Sequence, residues 1–270
     1  MRAIASVVVC LVLSTTLFAQ QLAQKPQQQQ HSRVIKQAPT TCPNDPVLAT
    51  DGRTSNYDQI YANPQYYLIN VKAGHAYAVE IWDDSDATAG IAPTILVLQG
   101  DCQTPIAVSD TTAMEPDLHG GFAKRVSWVQ NSDATLNVEL GNPDPNNSYV
   151  YNIRVTDLTL HSPRWSTVAG FSTHYGLLNN TSVAISGVLT LTSVTTQQTY
   201  LTTINVPAHS EVFVAIPSDK FNVPVGQYGF ADFQFAGSPG AITADGYFQT
   251  VSNGIFSIAP TTFGPVNYQH

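Results

Sequence analysis

The sequence predicts an all-β protein built from two antiparallel β-sandwich domains, and three observations carry that prediction. Apolar residues recur at every second position in one short stretch after another, the period of a half-buried strand. Gly, Pro, Asn and Asp clusters such as GNPDPNNS separate those stretches as turns, and no helix is needed between them. Charged residues make up only 11% of the 270, against roughly 25% in typical soluble domains, a balance usual in secreted β proteins.

The elements follow in chain order. Arg2 precedes an apolar run from Ala3 through Leu13, and a small residue stands at Ala19. This is the pattern of a signal peptide over residues 1–19, too short for a membrane span, so no span is expected in the mature chain. Cys10 lies inside that run without the sequence context of a lipoprotein signal. Residues 20–41, glutamine-rich with three basic and no acidic groups, lack any apolar period and predict a disordered spacer. With the signal removed, Cys42 and Cys102 are the thiols of the exported chain, and an oxidising compartment predicts that they pair. Closing that loop of roughly 60 residues contributes on the order of 4 kcal/mol in the chain-entropy model.

The first domain, residues 42–160, is predicted to be a jelly-roll-like sandwich of about eight strands. Its central feature is Tyr66 to Trp82, YYLINVKAGHAYAVEIW, in which Tyr67, Ile69, Val71, Tyr77, Val79 and Ile81 form one apolar set. It reads as a β-hairpin pairing Val71 with Tyr77 through a loop of Ala73, Gly74 and His75, with Gly74 at positive φ and His75 an exposed turn tip. Further strands are expected at Val47–Arg53, Thr94–Gln99, Pro105–Ser109, Arg125–Gln130, Ala134–Leu140 and Tyr149–Thr156. Residues 161–165, HSPRW, read as a linker because Pro163 lacks an amide donor. The second domain, residues 166–270, has strand candidates at Thr173–Leu178, Ser182–Thr192, Tyr200–Val206, Glu211–Ile216, Tyr228–Ala236 and Gly240–Gln249.

Charge and motifs narrow the function. Residues 42–160 carry five basic and fifteen acidic groups, a balance that argues against nucleic acid and anionic lipid as partners. No nucleophile elbow, zinc-protease helix motif, phosphate loop or Cys-x-x-Cys occurs, and the seven histidines are spread singly, so no catalytic, metal or cofactor residues are assigned. Asp83, Asp84 and Asp86 form an acidic turn that lacks the glycine and terminal glutamate of a complete calcium loop. Tyr57, Tyr61, Tyr66 and Trp82 are the candidate ligand-facing aromatics, able to stack on sugar rings if they face outward.

The succession YYLINVKAGHAYAVEIW, PTILVLQG, PIAVSD and YVYNIRV resembles the bacterial pre-peptidase C-terminal module, a secreted jelly roll often appended to exported enzymes, over residues from about 50 to 158. The second domain looks like an immunoglobulin-like sandwich of the kind used as an extracellular spacer or adhesion module in bacteria. The resemblance implies an accessory, stabilising or surface-binding role. The expectation is an exported non-catalytic protein, secreted or held at the cell surface or in the periplasm, that acts in surface attachment or binds extracellular polysaccharide or a surface protein. The alternative is a small secreted hydrolase on a sandwich scaffold, with Asp83, Asp84 and Glu115 as acid and base.

Overall fold

Alternation fixes which side of each strand is buried, and the structure assembles those sides into two sandwiches. The computed structural model describes residues 46–60, 63–82, 94–108, 115–116, 122–141, 149–217, 221–252 and 255–265. The expected signal peptide and spacer lie outside them. Apart from a 3-10 turn at Val168–Gly170, the regular structure among the described residues is strand, so the chain is all-β.

The first sandwich has two five-stranded sheets. One runs in the order β1 (Val47–Leu48), β3 (Gln65–Val71), β9 (Ala134–Gly141), β5 (Thr94–Leu98) and β6 (Pro105–Val108). The other runs β2 (Ser55–Ile60), β10 (Tyr149–Asp157), β4 (His75–Trp82), β8 (Phe122–Gln130) and β7 (Glu115–Pro116). Pairing is antiparallel except for β1 on β3. Tyr67, Ile69, Val71, Tyr77, Val79 and Ile81 are all buried, with Leu136, Val138, Leu140, Tyr151, Ile153 and Val155 among them. At one end of this core the hydroxyls of Tyr67 and Tyr151 meet each other and donate to the Gln65 side-chain carbonyl.

The stretch Tyr66 to Trp82 is not a hairpin. β3 pairs with β9, whereas β4 pairs with β8 and β10 in the opposite sheet. The expected Val71–Tyr77 pair therefore does not form: Val71 lies opposite Ala134, and Tyr77 opposite Trp128. Two strands whose apolar sets face one another across a sandwich show the same alternation as two strands side by side, so the pattern gives the burial side and not the partner. Gly74 does take a positive φ of 74°, and its N–H donates to the Gln130 carbonyl at 2.8 Å. Gly74→Ala is expected to cost about 1 kcal/mol, the penalty of a side chain in the left-handed region, read as a lower urea midpoint at unchanged slope.

Residues 161–165, expected as a linker, lie within β11 (Leu160–Ser166), an interior strand of the second sandwich, in the sheet ordered β14 (Thr199–Val206), β13 (Ile185–Ser193), β16 (Tyr228–Phe235), β11 and β19 (Gly264–Pro265). Pro163 is accommodated because the register against β16 shifts between Ser162 and Trp165, the kind of irregularity where a residue without an N–H is tolerated. The facing sheet is β15 (Glu211–Ile216), β12 (Phe171–Asn179), β17 (Ile242–Ser252) and β18 (Ile255–Thr261). Trp165, Tyr175, Leu177, Leu189, Leu191, Phe233 and Phe235 fill the core between them.

Only Leu158 and Thr159, both buried, separate β10 from β11. This short connection presses the second sandwich onto the outer face of β4, whose Ala76 and Ala78 join the second core. The Leu158 N–H donates to the Ala76 carbonyl at 2.7 Å, the Ala76 N–H to Thr159 Oγ1 at 3.0 Å, and Arg125 to Ser238 Oγ. His75 is therefore no exposed turn tip: it begins β4, and its Nδ1 lies 2.6 Å from Asp157 Oδ2. A second pair, His161 and Asp232 at 2.7 Å, sits on the adjoining strands β11 and β16.

Candidate functional site

The outer face of β4 carries Ala76, Ala78, Glu80 and Trp82, and all four are buried. Glu80 accepts a 2.5 Å hydrogen bond from Arg154 Nε, and the same guanidinium lies 5.4 Å from the centre of the Trp82 ring. Trp82 is left 8% exposed, so it does not present a stacking surface. Tyr66 is half-buried on β3; Tyr57 lies in β2, and Tyr61 lies outside the described residues, as do Asp83, Asp84 and Asp86. Glu115 begins β7. Cys102 is buried in the turn after β5 at a φ of 55°, and its expected partner Cys42 lies outside the described residues. Asp101 in the same turn accepts from Gln103 N, Thr104 N and Thr104 Oγ1, which hold its carboxyl below the ordinary range. Among the described residues no three His, Cys, Asp or Glu side chains gather as metal ligands, and no helix is long and apolar enough to cross a membrane.

The open surface with aromatic chemistry lies instead on the second sandwich. In the sheet β15-β12-β17-β18, Val214, Ile216, Tyr175, Leu177 and Ile242 point into the core, so the alternate positions point out. Register places these outward residues in rows. Phe213 stands beside Gly176 and Asp245; Ala215 beside His174, Tyr247 and Pro260; Ser172 beside Gln249 and Ile258; Val251 beside Phe256. Phe213 is 64% exposed and Ile258 58%, although both belong to the side chains that folding ordinarily buries.

The middle row is ordered. The rings of His174 and Tyr247 stack with centroids 4.8 Å apart and planes 7° from parallel. His174 Nε2 lies 3.0 Å from Ser172 Oγ, and partial burial lowers the imidazole pKa, which keeps the ring neutral around pH 7. A neutral, stacked imidazole adds to the aromatic surface and carries no charge to repel a cation or hold an anion.

Beside this row the sheet has a notch. A Cβ at Gly176 would stand 2.5 Å from Asp245 Oδ1 and 2.6 Å from Glu211 Oε1, so a side chain there would collide with both carboxylates as they stand. Neither carboxylate has an ion-pair partner among the described residues. The glycine thus lets two acceptor groups lean over bare backbone between Phe213 and the His174–Tyr247 stack. Such acceptors take hydrogen bonds from hydroxyl groups, and Phe213, exposed beside them, offers an apolar ring.

Comparison with known proteins assigns no family. No family model and no curated protein matches the chain. Among solved structures, a glycosyl hydrolase family 2 member from Bacteroides cellulosilyticus aligns at 11% identity and a TM-score of 0.20, over 73% of this chain and 28% of that one. The chain spans just over a quarter of that protein's length, and a similarity at this level carries no argument about function.

The sequence singles out none of Phe213, His174 and Tyr247: EVFVAI is apolar at both parities after Glu211, and the stacking of His174 on Tyr247 depends on the register between β12 and β17.

Proposed function

We propose that the protein is an exported, non-catalytic binding protein whose second sandwich docks extracellular polysaccharide through the outer face of β15-β12-β17-β18. The observation that supports this most directly is the ordered aromatic row, His174 stacked on Tyr247 with Phe213 exposed beside it. Pyranose rings present C–H faces to aromatic rings and hydroxyls to acceptors, and Asp245, Glu211, Ser172 and Gln249 flank the rings on the same face. We take residues 1–19 as an export signal, and in an oxidising compartment Cys42 pairs with Cys102. The first sandwich then serves as the attachment or spacing module.

Glycan-array binding followed by calorimetric titration of the best ligand tests the reading. Phe213→Ala and Tyr247→Ala are each expected to weaken binding about tenfold, the loss of one stacking contact. Both side chains leave the core, so the melting temperature should stay close to that of the parent chain. Failure to bind any glycan, or binding that both variants leave unchanged, would overturn the assignment.

A further inference from the structure

We infer that the outer face of β15-β12-β17-β18 selects glycans bearing protonated amines, and that Glu211 and Asp245 read the charge. This rests on the polysaccharide reading and names the ligand class of the same face. Charge singles the face out within the second sandwich. Among the described residues from 160 to 265 the carboxylates are Glu211, Asp232 and Asp245, and the only lysine or arginine is Arg164. Asp232 lies 2.7 Å from His161 Nδ1 on the opposite sheet. Arg164 sits 5.4 Å from the centre of the Phe248 ring, which has the inward parity of β17. The outer face therefore holds two exposed carboxylates and, among the described residues, no lysine or arginine.

The notch at Gly176 brings the two acids to one place. Asp245 Oδ1 and Glu211 Oε1 both lie within 2.6 Å of the point where a Cβ would stand, so one group above the glycine reaches both. An ammonium has three donors and no acceptor, and it forms charge-assisted bonds to both carboxylates while relieving their mutual repulsion. A sugar hydroxyl supplies one donor and leaves that repulsion in place. Phe213 stands beside Gly176 in the same row and is 64% exposed, and an aromatic ring face attracts a cation further.

The same arrangement excludes the opposite class. A uronic acid or a sulfated sugar sets its own negative charge against Glu211 and Asp245, and nothing on the face compensates it. Acetylation of the amine removes the positive charge and returns the ligand to the neutral case. Both carboxylates are exposed, so each is expected to contribute a factor of up to about five in affinity.

Calorimetric titration of the full chain with a glucosamine oligomer, and with the same oligomer fully N-acetylated, tests this at a pH where the amines are protonated. The amine form is expected to bind about fivefold more tightly, with an advantage that shrinks as salt rises. Glu211→Gln and Asp245→Asn combined should erase the preference and leave the N-acetylated form bound as by the parent. Equal affinity for the two forms, lost in Phe213→Ala, would overturn this inference and leave the polysaccharide reading standing. Binding of neither form would overturn it too, and the glycan array then decides the reading beneath it. A preference that survives in the double variant would assign the attraction to the first sandwich, whose residues 42–160 carry fifteen acidic groups against five basic, and would equally overturn the inference. Circular dichroism confirms that the double variant is folded, and either single variant, expected to lose part of the preference, serves if it is not.

Discussion

Asp157→Ala is expected to cost about 3 kcal/mol, as the loss of one member of a buried ion pair does, and to flatten the chain's stability profile on the alkaline side of pH 6.5. Asp157 ends β10 with its side chain 2% exposed, and each carboxylate oxygen has a separate task. Oδ2 meets His75 Nδ1 at 2.6 Å, and Oδ1 accepts the Thr159 N–H at 2.9 Å. Thr159 in turn accepts the Ala76 N–H, so one carboxylate fixes the start of β4, the end of β10 and the two-residue connection to the second sandwich. Removal leaves the Thr159 N–H without its acceptor in a buried site and the imidazole without its counter-charge.

The sign of the pH effect follows from the groups around the imidazole. The hydrogen bond to Asp157 raises the His75 pKa above 6.5; burial opposes it, the Asp157 and Asp232 charges reinforce it, and Lys72 opposes it. A folded-state pKa above the unfolded value means that the native state holds the proton more tightly. The stabilisation is complete below pH 6.5 and is lost as pH rises through the raised native value. Urea midpoints should therefore fall between pH 6 and pH 9 in the parent and fall less in Asp157→Asn, which keeps an acceptor for Thr159 and loses the charge. His75→Gln should remove the same slope, separating it from the neighbouring His161–Asp232 pair. Equal slopes in all three chains would show that the junction does not titrate through this contact.

The burial side of β3, β4, β9 and β10 was legible because alternation is a local property. Tyr67, Ile69, Val71, Tyr77, Val79 and Ile81 are buried as their parity requires. Pairing was not legible, because the β3–β4 connection crosses between sheets and the same residues would alternate identically in a hairpin. What covers an outward face was equally hidden. Trp82 does point away from the first core, as its parity requires, but Arg154 and not solvent lies over it. In HSPRW the proline outweighed the two residues that now matter most, since Ser162 and Trp165 are buried on an interior strand. At the candidate site, the close approach of His174 and Tyr247 is a product of tertiary register, and so is the position of both carboxylates over Gly176.

Trp165→Ala is expected to cost about 4 kcal/mol, within the range for truncating a buried aromatic in a core. Trp165 is completely buried, and its Nε1–H donates to the Phe230 carbonyl at 2.9 Å across the β11–β16 register shift. The indole therefore fills the core and also bonds a strand at the place where the regular ladder is interrupted. Trp165→Phe separates these roles: it keeps much of the volume, removes the donor, and should recover more than half of the loss. The damage should begin in the second sandwich, because its core is the one that loses the ring. Amide exchange of β12, β13 and β16 should accelerate before that of β3 and β9, whose side chains belong to the other core. β4 is the informative strand between them. Its Tyr77, Val79 and Ile81 belong to the first core and its Ala76 and Ala78 to the second, so its exchange reports whether opening one sandwich loosens the other. If β4 stays as slow as β3 in Trp165→Ala, the sandwiches open independently; if it follows β16, the short Leu158–Thr159 connection couples them into one cooperative unit.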